Sequence, residues 1–126
     1  MIAGKALMDR NCPEWLRDTA QSGYADSKAL IERWHGTDRL GYAITPRFAP
    51  SCSPEQLQLA GRLAGEHPDV WIQSHVAENR AEVEWACQLF PGARSYLDIY
   101  DHYGLLRERA VYGPCIWLDD ADRARL

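Results

Sequence analysis

The sequence predicts an α/β fold with a parallel sheet, about half of an eight-stranded (β/α)8 TIM-type barrel, and three observations carry that reading. Short apolar segments alternate with capped helical patterns, the signature of βαβ units and parallel pairing. The C-terminal end of each such segment holds chemically capable or conformationally special residues: Asp9-Arg10-Asn11, Thr45-Pro46-Arg47-Phe48, Ser74-His75 and Gly113-Pro114. In β/α barrels that face carries the active site, built from several strands at once. Doubly wound sheets also bind ligands there, so the pattern alone does not choose between them. Finally, four segments of this kind make half of an eight-stranded barrel.

The elements follow in order. Strands are predicted at residues 5–9, 40–45, 70–74 and 109–112. Asp26-Ser27 precedes Leu30, Ile31 and Trp34 at helical spacing, and Gly36 follows as a stop. Ser53-Pro54-Glu55-Gln56 reads as a capping box with proline at the first helical position, ahead of Leu57, Ala60, Leu63 and Ala64. Asn79-Arg80-Ala81-Glu82 repeats the device, with Val83, Ala86, Cys87 and Phe90 as the buried stripe and Pro91-Gly92 as the stop. A further helix is expected over 96–103, ending at Gly104, and another begins at Asp119-Asp120. Trp34, Trp71 and Trp85 are expected to pack between helices and sheet. The first strand starts almost at Met1 and the last helix is short, so the expectation is a central fragment of a larger barrel domain covering residues 1–126.

Composition narrows the class. The chain has 126 residues, 46% hydrophobic and 25% charged, with a formal net charge of -4. That suits one globular domain, able to bury roughly two thirds of its unfolded surface. A pI near 5.5 and the lack of any Lys/Arg cluster argue against a nucleic-acid or anionic-membrane partner. No apolar run approaches the roughly 20 residues that a spanning helix needs. Cys12, Cys52, Cys87 and Cys115 are widely spaced with no C-x-x-C pair, which reads as reduced thiols in a cytoplasmic protein.

The chemistry concentrates in Gln73-Ser74-His75-Val76-Ala77-Glu78-Asn79. A histidine at a strand end with a carboxylate three residues on can place a metal ligand and a proton acceptor at one mouth. On the residues alone, such a histidine is more often a structural hydrogen-bonding residue, and Glu78 serves equally as a first-turn carboxylate favoured by the helix dipole. Arg47 beside Phe48 offers a donor fork and an aromatic ring, or simply a surface charge. His35, His67 and His102 read as cap or surface residues. The deaminase fold marked by H-x-E and P-C-x-x-C is excluded: neither pattern is present, and Pro114-Cys115-Ile116-Trp117 lacks the second cysteine.

Thr45-Pro46-Arg47-Phe48-Ala49-Pro50-Ser51-Cys52-Ser53 and the His75 to Glu78 stretch together resemble the guanine deaminases of the amidohydrolase superfamily. Met8-Asp9-Arg10-Asn11, residues 12–36 and Val111-Tyr112-Gly113 fit the same family, so the resemblance covers essentially the whole chain. It implies a stretch running from about the third barrel strand to the start of the sixth helix. It further implies His75 as a zinc ligand, Glu78 as the proton shuttle, and Arg47 and Phe48 as contacts to guanine. The implied reaction is zinc-dependent hydrolytic deamination of guanine to xanthine and ammonia, a step of purine catabolism.

Three departures from the family pattern shape the expectation. No His-x-His pair is present in these residues, the family's final-strand aspartate would lie beyond Leu126, and Pro114 stands where the family places a second histidine. Proline offers no side-chain ligand or donor atom, and the side chain of Cys115 is expected to point away from that position. A catalytic zinc usually takes three protein ligands, so the 126 residues alone are expected to hold zinc weakly or not at all and to show little activity. The alternatives are a non-catalytic amidohydrolase-like remnant acting as an interaction or structural module, or a hydrolase of another amidohydrolase family. Half a barrel exposes two strand edges, which invite pairing with another copy as a homo-oligomer.

Overall fold

A computed structural model describes all of residues 1–126. Five parallel strands form one sheet: β1 (Ile2–Ala3), β2 (Ala6–Leu7), β3 (Gly41–Pro46), β4 (Trp71–Val76) and β5 (Ala110–Pro114). β1 and β2 both pair with β3, which pairs with β4, which pairs with β5. Between them run α1 (Ala20–Trp34), α2 (Pro54–Glu66), α3 (Arg80–Leu89) and α4 (Tyr96–His102), and a single turn, α5 (Asp120–Arg123), follows β5.

The two faces of the sheet differ. Along β4, Ile72, Ser74 and Val76 are buried, whereas Gln73 and His75 are exposed, the period-two alternation of a strand covered on one side. Ile44, Leu57, Leu63, Val70, Ile72, Leu97, Ile99 and Tyr100 fill the layer between sheet and helices. The opposite face carries His75 and the exposed Val111. No helix is long and apolar enough to cross a membrane.

Several sequence expectations need correction. The strand predicted at 5–9 is instead two short pieces sharing one register with β3: Ile2 faces Gly41 and Leu7 faces Pro46. The ladder is interrupted because the Lys5 amide donates to the Tyr42 hydroxyl, 3.2 Å away. The other strands run one or two residues further than predicted at their C-terminal ends, so His75 lies within β4 rather than after it. α1 begins six residues before Asp26. Thr19 and Ser22 cap it reciprocally, a role expected of Glu or Gln at the third position.

At α2, Ser53 does accept from the Gln56 amide at 3.0 Å. The returning half of the expected capping box is absent: the Ser53 amide donates to Asp9 Oδ1 at 2.7 Å and its hydroxyl to Asp9 Oδ2 at 2.5 Å. Gln56 is buried instead against Gly23 of α1, where any added Cβ would sit 2.7 Å from Gln56 Nε2. Trp34 and Trp85 are 42% and 37% exposed. Trp34 ends α1 under the Arg33 guanidinium, and Trp85 turns its ring edge-on to Phe48.

Candidate active site

Arg47, Phe48, His75 and Glu78 come together. With Glu82 they line one cleft of about 200 Å³ at the C-terminal edge of β3 and β4. An adjoining shallow hollow is lined by Phe48, Asn79, Ala81, Glu82 and Trp85, so Phe48 and Glu82 belong to both.

Arg47 and Phe48 follow directly on β3. The guanidinium of Arg47 is exposed and lies 5.3 Å from the centre of the Phe48 ring, within cation–π range. Phe48 is half-buried and edge-on to Trp85 of α3, with ring centroids 6.1 Å apart. The Arg47 carbonyl accepts twice from His75: from its amide at 3.3 Å and from ring Nδ1 at 2.8 Å. A carbonyl only accepts, so Nδ1 carries the proton in the neutral ring, and Nε2 keeps its lone pair with no protein partner. Metal-binding histidines are oriented in this way, by a carbonyl or carboxylate on the other ring nitrogen.

The turn from β4 to α3 brings Glu78 back over the strand end. Ala77 takes a left-handed conformation, φ 58°, and is fully buried, costing an L-residue roughly 1–2 kcal/mol. Hydrogen bonds hold it there: Cys115 N donates to Val76 O at 3.0 Å and Trp117 N to Ala77 O at 2.9 Å. Asn79 then caps α3 by accepting from the Glu82 amide at 2.9 Å. Glu82, in the first turn of α3, lines the cleft beside Glu78, and its Oε1 is buried without a hydrogen-bond partner.

The remaining expected positions divide. Pro114 ends β5, exposed and paired with Val76, one step past the His75–Gly113 pair. Cys115 donates its thiol to the Tyr112 carbonyl at 3.4 Å, and burial raises its pKa; the thiol does not line the cleft. His35 is a structural bridge: Nδ1 accepts from the Tyr42 amide at 3.0 Å and Nε2 donates to Asp69 at 3.0 Å. His67 caps the C-terminus of α2, and His102 sits in the last turn of α4. No group of three or more His, Cys, Asp or Glu side chains in the 126 residues is placed to hold a metal ion.

Comparison with known proteins decides the family, because the amidohydrolase family profile matches residues 1–126. The chain belongs to the amidohydrolase family. Within it, the chain is similar to the guanine deaminase of Escherichia coli, with 52% identity over all 126 residues, which is 29% of that relative. Its fold superimposes on a solved structure of E. coli guanine deaminase with a TM-score of 0.98 and 51% identity, covering 99% of this chain and 29% of that one. A guanine deaminase from C. acetobutylicum, solved with guanine bound in its active site, matches with a TM-score of 0.91 and 29% identity, over 97% of this chain and 29% of that one.

An atrazine chlorohydrolase variant from Arthrobacter aurescens, complexed with zinc and atraton, shares the fold alone: TM-score 0.85 at 14% identity, over 98% of this chain and 28% of that one. The parallel sheet is thus part of a TIM-type barrel of the amidohydrolase kind, and the chain spans under a third of the length of the relatives it matches.

Two residues at this cleft are not marked out by the sequence. In the sequence Glu82 marks only a helix start, because the left-handed turn at Ala77 that brings Glu78 beside it has no sequence signature. Tyr100 carried no signal, because its role depends on a fold contact 25 residues from His75.

Proposed function

We propose that this chain is the central part of a guanine deaminase barrel, from about the third strand to the start of the sixth helix. The full barrel would convert guanine and water to xanthine and ammonia. The observation that carries the reading is the shared cleft, in which Arg47, Phe48, Glu78 and the free Nε2 of His75 face one space.

Each residue has a role it can perform from where it stands. The Phe48 ring packs on the flat base, and the Arg47 fork donates to a carbonyl or ring nitrogen. Glu78 takes a proton from the attacking water, which adds at the amino-bearing carbon, and delivers protons to the ring and to the departing amine. His75 suits zinc in kind, with its ring set by the Arg47 carbonyl, and supplies one ligand of the three that a catalytic zinc usually takes. Bound zinc would supply a water whose pKa is lowered from about 15.7 to about 7. Position 114 is where a second histidine would complete that side.

The test is a graft. The 126 residues replace the matching stretch of E. coli guanine deaminase, once as they stand and once with Pro114→His, and xanthine formation is followed. Xanthine production by the Pro114→His graft, far above that of the unaltered graft, supports the reading. A folded, zinc-loaded Pro114→His graft that leaves guanine untouched overturns it.

A further inference from the structure

Tyr100 lies in α4, on the far side of the sheet from the cleft, and is fully buried. Its hydroxyl nevertheless ends at the base of the site. It donates to the His75 carbonyl at 2.7 Å and accepts from the Ala49 amide at 3.0 Å. Ser74 Oγ lies 2.9 Å away and shares its own proton between Tyr100 and the Pro46 carbonyl, 2.7 Å distant. One hydroxyl therefore joins the backbone of β4 at His75 to the backbone immediately after Phe48. Burial raises the pKa of the phenol, which keeps it protonated and donating. Tyr96 stacks on the ring at 5.9 Å and Tyr112 tilts against it at 5.1 Å, so it has no free rotation.

The geometry points to Tyr100 as a positioning residue that fixes the spacing between the metal-facing histidine and the purine-facing Arg47–Phe48 turn. The role rests on the deaminase reading for its chemistry, but the positioning itself does not. His75 and Arg47 already meet on the open side, through Nδ1 and the Arg47 carbonyl. The Tyr100 hydroxyl closes the same pair of segments from the buried side. With both links in place, the ring plane of His75 and the Phe48 backbone move as one unit.

Tyr100→Phe removes the hydroxyl and keeps the ring. Tyr112→Phe is the matched control, since it deletes a buried hydroxyl bonded to the Leu105 carbonyl at 2.8 Å and touching neither His75 nor Ala49. In the 126-residue chain, amide hydrogen exchange by NMR should show Ala49 exchanging at least about tenfold faster in Tyr100→Phe than in Tyr112→Phe. In the Pro114→His graft, Tyr100→Phe should weaken zinc retention and lower kcat/KM for guanine by about 10–100-fold, the usual cost of losing an outer orienting group. Equal effects of the two variants on Ala49 exchange and zinc retention overturn the proposal. A graft that binds zinc without deaminating guanine defeats the functional reading alone, since exchange and zinc retention still judge Tyr100.

Discussion

The Arg47 carbonyl oxygen is the only protein partner of the His75 ring, and it holds that ring by Nδ1 at 2.8 Å. The proposed substrate contact and the proposed metal contact are therefore neighbours through one backbone atom, and the accessible nitrogen of His75 is Nε2. The neutral ring should be the Nδ1–H tautomer. Nitrogen-15 shifts of the His75 side chain above its titration check this, and a protonated Nε2 would contradict it.

Glu78 and Glu82 line the same cleft, and the proposed proton shuttle is Glu78 alone. Glu78→Gln in the Pro114→His graft should reduce kcat by about 10²–10⁴-fold with KM little changed. Glu82→Gln should fall well short of that loss. Steady-state kinetics on the two variants separates the shuttle from the wall, and a larger effect at Glu82 would reverse the assignment.

The proposed role of Arg47 is binding rather than reaction. Arg47→Lys keeps the charge but loses the planar fork, so KM for guanine should rise by about 10-fold, an affinity change of about 1.4 kcal/mol, while kcat holds. A fall in kcat with KM unchanged would place Arg47 in the chemical step.

Away from the cleft, Gly61 lets α2 meet the end of α4. A Cβ at this position would lie 1.9 Å from the Tyr103 carbonyl oxygen. Backbone cannot yield as a side chain tip does, so Gly61→Ala should destabilise the chain by about 1–3 kcal/mol despite alanine's better helix propensity. Urea unfolding measures it.

A hydrogen bond from Tyr24, reinforced by Arg62, holds the Glu66 carboxyl down to about 2. A depressed carboxylate adds stability above its unfolded pKa of about 4.3 and loses it as pH falls through the folded value. The urea midpoint should therefore drop between pH 4.5 and 2, and Tyr24→Phe should flatten that slope. An unchanged slope in the variant would remove Tyr24 as the cause.

Local chemistry explains which features were readable in the sequence. Ser53 and Asn79 announce α2 and α3 because a cap acts within three residues. The start of α1 was hidden because Ser22 fills a place usually given to Glu or Gln, and Gly23 looks like a breaker until Gln56 is seen against it. Strand ends were cut short before Pro46 and before Gly113-Pro114, residues that in fact lie on the ladder. In the site, the His75 to Glu78 spacing and the Arg47–Phe48 pair were legible from side-chain types. The left-handed Ala77 and the Tyr100 hydroxyl were not, since both depend on backbone groups that only the folded chain brings near.

The Asp9 clamp on Ser53 spans 44 residues, so half of the capping at the start of α2 comes from outside the helix's own segment. A peptide of α2 alone would keep Ser53 and Pro54 yet lack the carboxylate that takes the Ser53 amide and hydroxyl. The start of α2 is thus fastened to the residues just after β2, by two bonds that its own segment could not make.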